Sequence, residues 1–435
     1  MTKVRRVEII ELPYTSSLSK LCHLVKNLYN QANFLIKSTL QQKSLFLSYC
    51  DLYNLLKSEM CYKVLPAQTA QQTLKIITRN WRLYFKVLKE WKLHPERFFS
   101  KPNPPRYKPR DGEGVAVFTN QQASIRNSWL ILPKKVGFYY KTRLTVRCKL
   151  KEVRIVPRTV GYTLEIVYEK ILPNQKKKRT RKGAVDLGVV NLVTFVDNLG
   201  SQPIVIKDHG KGIKSIINYY QKKQKKLRAL YVQQQKKSLI KQKKLIYGRA
   251  YFKLKENYRR RLKNAIHHLS KYVIDICVER NLHELVVGYN PFWKQQVNLR
   301  RKTNQIFVSI PFLRIIKHLR YKGEEQGIHV EIIPESHTSK SSFLDNEFPQ
   351  HRAKYAGKRS PRGMYTSKLG YQINSDVNAA YNILIKSDPQ ALPLRKAAGV
   401  GGYVMYPRRV CVDPPGMTYT LATKLAQQCL AKMPA

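Results

Sequence analysis

Residues 184–197, AVDLGVVNLVTFVD, read as a strand, a sharp turn at Gly188 and a second strand. One carboxylate, Asp186, stands among apolar residues. Burying an ionised carboxylate is costly unless a cation or hydrogen-bond donors offset the cost. Asp186 is therefore either a satisfied structural acid or a metal ligand, and the rest of the chain has to decide between the two.

Downstream, PIVIK (203–207) reads as a third strand after the turn Asp197–Gly200. From about 212 to 280 the pattern is helical, in two long pieces rich in Lys, Gln and Tyr. LHELVVGY (282–289) is a strand, SIPFLRIIKHLRYKGEEQG (309–327) a helix, IHVEIIP (328–334) a strand and SDVNAAYNILIKS (375–387) a helix. Three hairpin strands followed by helix, strand, helix, strand, helix is the element order of an RNase H-like mixed α/β sheet. Ligands in such sheets gather at the carboxyl ends of the parallel strands. Asp186 lies on the first strand, Glu335 directly follows the last, and Asp376 opens the final helix, so three acids distant in sequence are expected on one edge. Two divalent cations held about 3.5–4 Å apart by such carboxylates activate water for phosphodiester hydrolysis. Oxygen ligands suit Mg²⁺, with Mn²⁺ as the substitute. Each acid also has a plainer role open to it. Asp376 can cap its helix, Glu335 can be a loop residue bound to backbone amides, and His337 beside it reads as structural.

Upstream, VRRVEIIEL (4–12) alternates like a strand, and three helical stretches begin at about Ser17, Tyr49 and Pro66. SKPNPPRYKPRDG (100–112) is a proline-rich basic loop. The short alternating segments 115–119, 129–133, 143–150, 152–157 and 162–170 predict a small antiparallel barrel or sandwich. The N-terminal strand would complete it, which makes the helical bundle an insertion. The overall class is α+β multidomain.

Charge decides the class of partner. Against 27 Asp+Glu stand 81 Lys+Arg, a net +54. Self-repulsion of that size destabilises a compact state, so a polyanion must supply the balance, and nucleic acid does so most simply. No apolar run approaches the about 20 residues of a spanning helix, and MTKVRRVEII lacks a signal peptide's apolar core. No membrane partner and an intracellular setting are expected. The 7 cysteines are odd in number and show no C-x-x-C spacing, which supports neither a disulfide framework nor a cysteine zinc site.

The motifs VDLGVVNL (185–192), VVGYNPFWKQ (286–295), NQIFVSIPF (304–312), PESHTSKSSFLD (334–345), GKRSPRGMY (357–365) and INSDVNAAYNIL (373–384) resemble, in order, those of TnpB. TnpB is the RNA-guided DNA endonuclease family of bacterial insertion sequences, related to type V CRISPR effectors and Fanzor. LPAQTAQQTL (65–74) and VFTNQ (117–121) extend the resemblance to roughly residues 1–390.

The resemblance implies a wedge β-barrel (1–16 and 97–172) with a helical recognition insert (17–96). A basic linker (173–183), a RuvC nuclease domain (184–395) and a C-terminal tail (396–435) would follow. It implies a guide RNA and a target double-stranded DNA as partners, with base pairing reading the target and protein reading a short adjacent motif. A prokaryotic, cytoplasmic, nucleoid-associated monomer is the corresponding expectation. Asp186 and Asp376 match the first and third catalytic acids. The usual second acid falls at Gly288. A TnpB branch and Fanzor proteins are similar in carrying it instead at the P-E-S-x-T-S motif, here Glu335. Many relatives also carry paired C-x-x-C motifs before the final Asp, whereas residues 336–372 contain no cysteine. A zinc-free insert is therefore expected, with Lys358, Arg359 and Arg362 touching nucleic acid. Gln68, Gln71, Gln72, Thr119 and Asn120 match regions that meet the adjacent-motif duplex, and amide side chains pair bidentately with adenine edges. Tyr219, Tyr220 and Tyr231, set amid lysines, are candidates for stacking on bases. The alternatives are a guide-directed repressor that does not cut, a transposase proper, and a structural RNA-binding protein.

Overall fold

The computed structural model describes residues 2–144, 148–172, 180–208, 212–235, 245–291, 301–361, 363–390 and 406–412. Two compact units divide the chain, Met1–Leu172 and Pro173–Ala435.

In the first unit, β1 (Thr2–Leu12) pairs antiparallel with β7 (Tyr162–Leu172) along its whole length. The sheet continues through β6 (Lys149–Pro157) to β2 (Ala116–Thr119) in the order β1-β7-β6-β2. β3 (Ser124–Arg126), β4 (Trp129–Ile131) and β5 (Tyr139–Lys141) form a separate three-stranded sheet. Among the described residues, the small antiparallel barrel or sandwich expected from the sequence takes the form of two sheets, with β1 and β2 at the edges of the larger one. The helices α1 (Ser16–Lys43), α2 (Tyr49–Leu56), α3 (Met60–Lys63) and α4 (Ala67–Leu93) lie between β1 and β2 in the chain. Thr15 caps α1, and α2 opens with a capping box between Ser48 and Asp51. Apolar residues at three- and four-residue spacing, Leu18, Leu21, Val25, Leu28, Ala32 and Ile36, turn inward onto a core shared with α4 and the sheet. The proline-rich segment has no regular structure but is strapped to α1. Lys26 Nζ donates to Arg110 O at 2.7 Å, Asn30 Nδ2 to Lys108 O at 3.0 Å and Asn33 Nδ2 to Pro105 O at 3.1 Å.

The second unit is built on one six-stranded sheet. β8 (Lys182–Asp186), β9 (Val193–Asp197) and β10 (Ile204–Lys207) form the antiparallel meander expected from the sequence. β11 (Glu284–Gly288) and β12 (His329–Ile333) add in parallel on the other side of β8. The intervening helices are α5 (Ile213–Gln234), α6 (Arg249–Glu279), α7 (Arg301–Ser309) and α8 (Phe312–Gln326), and the last is α9 (Ser375–Ser387). The central strands are buried on both faces, as parallel strands are. Val185, Leu285 and Val287 face a core built with α5, α6 and α8, while Ala184, Val196 and Val286 face α9. A small hairpin, β13 (Met364–Thr366) with β14 (Gln372–Asn374), precedes α9.

One strand lies where only a loosely attached tail was expected. β15 (Arg408–Cys411) pairs in parallel with β10, Arg408 N donating to Pro203 O at 2.8 Å, and Val410 enters the core. No helix among the described residues is long and apolar enough to cross a membrane.

Candidate active site

Because β8, β11 and β12 run parallel, their carboxyl ends reach one edge of the sheet. Val185 is paired with Val287, and the next residues along are Asp186 and Gly288. Gly288 pairs with Ile333, two residues before Glu335. Strand alternation places Asp186 on the face of Ala184, the side on which α9 packs. Asp376 stands in the first turn of α9, but it is not the cap. Asn374 Oδ1 accepts from Asp376 N at 3.1 Å and Val377 N at 3.3 Å, so the capping role open to Asp376 belongs to Asn374. The Asp376 carboxylate instead accepts a 2.6 Å hydrogen bond from Asn191 Nδ2, and Arg359 Nη2 lies 3.6 Å from its Oδ1.

Glu335 is held by its main chain. Its N–H donates to Asn290 Oδ1 at 3.2 Å, and its carbonyl accepts from Thr338 Oγ1 at 2.8 Å. Its Oε2 is buried with no hydrogen-bond partner among the described residues, so there it is not the amide-bound loop acid that the sequence left open. Burial pushes the Glu335 carboxyl from its ordinary 4.5 up to about 7. Burial also holds Asp186 well above the usual carboxylate range. The charges of Glu335 and Asp376 add to that rise, while Arg359 and the Leu187 amide oppose it. A Cβ placed on Gly288 would stand 2.5 Å from Ile383 Cδ1 and 3.1 Å from Glu335 Oε2. The space beside Gly288 is thus already filled, by an isoleucine of α9 and by the carboxylate arriving from β12.

Three acids therefore share one electrostatic neighbourhood. Among the described residues no three His, Cys, Asp or Glu side chains are grouped tightly enough to enclose a metal ion as they stand. The donor set nonetheless fits one. An anionic oxygen that no donor reaches is a place for a proton or a cation, and all the donors are hard oxygens of the kind Mg²⁺ takes.

The family model OrfB_IS605, described as a probable transposase, matches residues 165–293, which contain Asp186. The model described as Cas12f1-like, TNB domain, matches residues 312–383, which contain Glu335 and Asp376. TnpB-like protein ORF457 of Acidianus two-tailed virus is 27% identical over 137 residues, 31% of this chain and 27% of the viral protein. Over these stretches the chain is similar to TnpB-like proteins. The match spans only about a quarter of that viral relative's length. Among solved structures, the Cas12f1–sgRNA–target DNA complex is 13% identical with a TM-score of 0.48, covering 85% of this chain and 83% of that one. Alicyclobacillus acidoterrestris C2c1 in complex with single-guide RNA is 8% identical with a TM-score of 0.35, covering 85% and 65%. At these TM-scores the fold assignment stands on the chain's own strand order.

The insert 336–372 is organised around carboxylates. Glu347 Oε2 accepts from Ser342 N at 2.8 Å and its Oε1 from Ala356 N at 3.2 Å, with Arg352 Nε 3.5 Å away. Asp345 Oδ2 accepts from Ser342 Oγ at 2.6 Å and Lys368 N at 2.9 Å. Asn378 and Asn382 of α9 donate to Ser341 O at 2.9 and 2.7 Å, and Phe343 stacks on Tyr381. His337 sits at φ +68°, its Nδ1 3.0 Å from the Tyr355 hydroxyl. Of the expected nucleic-acid contacts here, Lys358 is exposed, its backbone bridged to Thr366. Arg359 turns toward the acids, donating to Ser375 Oγ at 3.0 Å. Arg362 lies outside the described residues.

In the first unit, the start of α4 and the turn after β2 are brought together. Thr119 Oγ1 donates to Gln68 Oε1, and Gln68 Nε2 donates to Gln121 Oε1 at 2.6 Å. Gln71 hydrogen-bonds the Tyr62 hydroxyl, Gln72 is half-buried and Asn120 is exposed. The sequence reading missed Gln121, and it missed Gln122, which accepts from Thr69 Oγ1 at 3.3 Å. It also missed Asn191 and Asn374 at the acid edge. Asn191 closes the tight turn at Gly188, where an added Cβ would lie 2.6 Å from Asn191 O.

Proposed function

We propose that the chain is an RNA-guided DNA endonuclease of a transposable element. In this reading it binds a guide RNA and cuts target double-stranded DNA next to a short adjacent motif. Asp186, Glu335 and Asp376 are the catalytic carboxylates that hold Mg²⁺ or Mn²⁺. The observation that carries this reading is Glu335 Oε2, buried without a partner beside Gly288 and raising the pKa of Asp186. That supports a second acid relocated from β11 to the end of β12. The strongly cationic chain supplies the phosphate contacts.

When bound, the divalent cations polarise the scissile phosphate and activate the attacking water. The chain's own residues prepare the edge for this. Asn191 fixes the rotamer of Asp376. Hydrogen bonds on both sides of Glu335 fix its main chain. The raised Glu335 carboxyl holds its proton up to near neutrality, and its deprotonated form would supply an oxygen ligand to a divalent cation. Arg359 places a guanidinium beside Asp376, where it offsets part of the carboxylate charge.

The description of the OrfB_IS605 model favours one rival, a transposase acting on element ends. Both readings meet one assay. Purified protein is incubated with Mg²⁺, a guide RNA transcribed from the flanking DNA, and a plasmid library carrying the target beside randomised bases. Guide-dependent linearisation is expected. Equal cutting of element ends without RNA would replace this reading with the transposase, and guide-directed binding without cutting would replace it with the repressor.

A further inference from the structure

Between α5 and α6 lies a cavity of about 340 Å³ that has no part in the acid edge. Its floor is Ile216 and Leu254. One wall is Tyr220 stacked on Tyr258, with ring centroids 4.0 Å apart and planes within 16°. Tyr219 stands at the rim, 51% exposed, with Arg261 and Lys223 over its ring at 5.8 and 5.9 Å. Arg260 completes the cationic lining, steadied by Asn257 Oδ1 at 3.1 Å. The neighbouring carboxylate, Glu256, does not cancel this charge, because Arg259 holds it at 2.9 Å. Lys222, Lys225 and Lys226 continue the positive charge along α5.

We infer that this cavity seats one unpaired nucleotide of a bound single strand, its base against the tyrosines and its phosphates on Arg260, Arg261 and the α5 lysines. The volume lies at the low end of the about 300–1,000 Å³ typical of small-molecule sites. It has room for one planar ring and its sugar but not for a duplex. An apolar floor with aromatic walls and an all-cationic rim asks for a flat ring attached to anionic groups, which is the chemistry of a nucleotide in a chain. Tyr220 spends a ring face on Tyr258, and Tyr231, which meets Tyr247 edge to face, does not line the cavity, so of the three tyrosines picked out in the sequence, Tyr219 is the one at the rim, its ring already accompanied by cations.

The inference rests on the proposed function only for the nature of the partner, and its test requires no cleavage. The full-length protein is mixed with a 15-nucleotide single strand carrying 4-thiouridine, or its deoxy counterpart, irradiated, and the adducts mapped by mass spectrometry. Adducts on the peptides carrying Tyr219 or Tyr258 are expected. The strand that gives the higher yield identifies the pocket's source as RNA or DNA. Tyr219→Leu should cut the adduct yield at this site about tenfold, in line with the loss of one stacked base. It should leave the salt dependence of strand binding unchanged, whereas Arg260→Gln with Arg261→Gln should flatten that dependence. Adducts confined to other peptides, or an unchanged yield in Tyr219→Leu, overturn the inference even if guided plasmid cutting is observed.

Discussion

Two aspartates close the two strands of one hairpin, and they live in opposite circumstances. Asp197, at the end of β9, is fully buried. It accepts from Arg280 Nη1 at 2.7 Å, Leu199 N at 2.9 Å and Ser201 N at 3.2 Å. Asp186, at the end of β8, has two carboxylates as neighbours, with Arg359 and one backbone amide acting against them. Burial alone therefore does not mark function here. The mark is an acid whose surroundings leave negative charge unanswered. Glu347 and Glu335 repeat the contrast within the last third of the chain, one with both oxygens bonded and the other with an orphan oxygen.

Exchanging charge for amide at both aspartates should break the pair apart. Asp186→Asn removes a repelled charge, so DNA cutting is expected to fall by about a thousandfold or more while the thermal midpoint of the metal-free protein rises. Asp197→Asn leaves Arg280 without its anion and should cost about 3–5 kcal/mol of stability, with cutting per folded molecule nearly intact. Chemical denaturation and plasmid cleavage on the same preparations measure both. If the two variants were destabilised alike, the distinction between the aspartates would be lost.

A pH series sharpens the comparison by testing where the unanswered charge resides. The folded Glu335 carboxyl titrates near 7 against an ordinary 4.5. Its favourable contribution is therefore complete below about pH 4.5 and is lost as pH climbs through about 7. Metal-free protein should lose stability across that window. The stabilisation produced by Mg²⁺ should grow through the same window and level off above it, because the cation needs the deprotonated acid. Glu335→Gln should remove the Glu335 share of both effects, leaving the share of Asp186, whose carboxyl is also raised. Thermal scans from pH 5 to 9, with and without Mg²⁺, check this, and a wild-type Mg²⁺ effect independent of pH would show that Glu335 does not face the cation.

The order of elements around Asp186 was legible because each strand is a short apolar run and each helix carries a three-to-four period. Parallel pairing then forces the ends of β8, β11 and β12 onto one edge. What stayed hidden depends on distance or on single side chains. The four residues of β15 have no pattern of their own and become a strand only because β10 offers a free edge. The choice between barrel and sandwich was not legible, because short alternating segments announce strands without announcing which edges meet. At 374–376 both Asn and Asp are good caps, and only the chain's path into α9 gives the task to Asn374. Arg359 was expected from the resemblance as a nucleic-acid contact, and the resemblance does not say that its guanidinium leans toward Asp376.

Asn191 gives the mildest test, because it is one of the few donors at the acid edge and touches only one of the three acids. Its Nδ2 reaches Asp376 Oδ2 at 2.6 Å from a turn that Gly188 keeps tight. Asn191→Ala removes a hydrogen bond to a charged group, a class of interaction worth about 1.5–3 kcal/mol. Two opposing effects meet in the folded protein: the lost bond destabilises, but Asp376 is only partly buried and water can replace the donor. The net change in stability should be small, within about 1 kcal/mol. Cutting should suffer more, by about tenfold, because a carboxylate that rotates freely is rarely aimed at the cation. Asn191→Asp keeps the shape and adds a fourth negative charge to the edge, so it should raise the Mg²⁺ dependence of stability where Asn191→Ala does not. Cleavage rates and Mg²⁺-dependent melting of the two variants, compared side by side, separate a positioning role for Asn191 from a merely structural one.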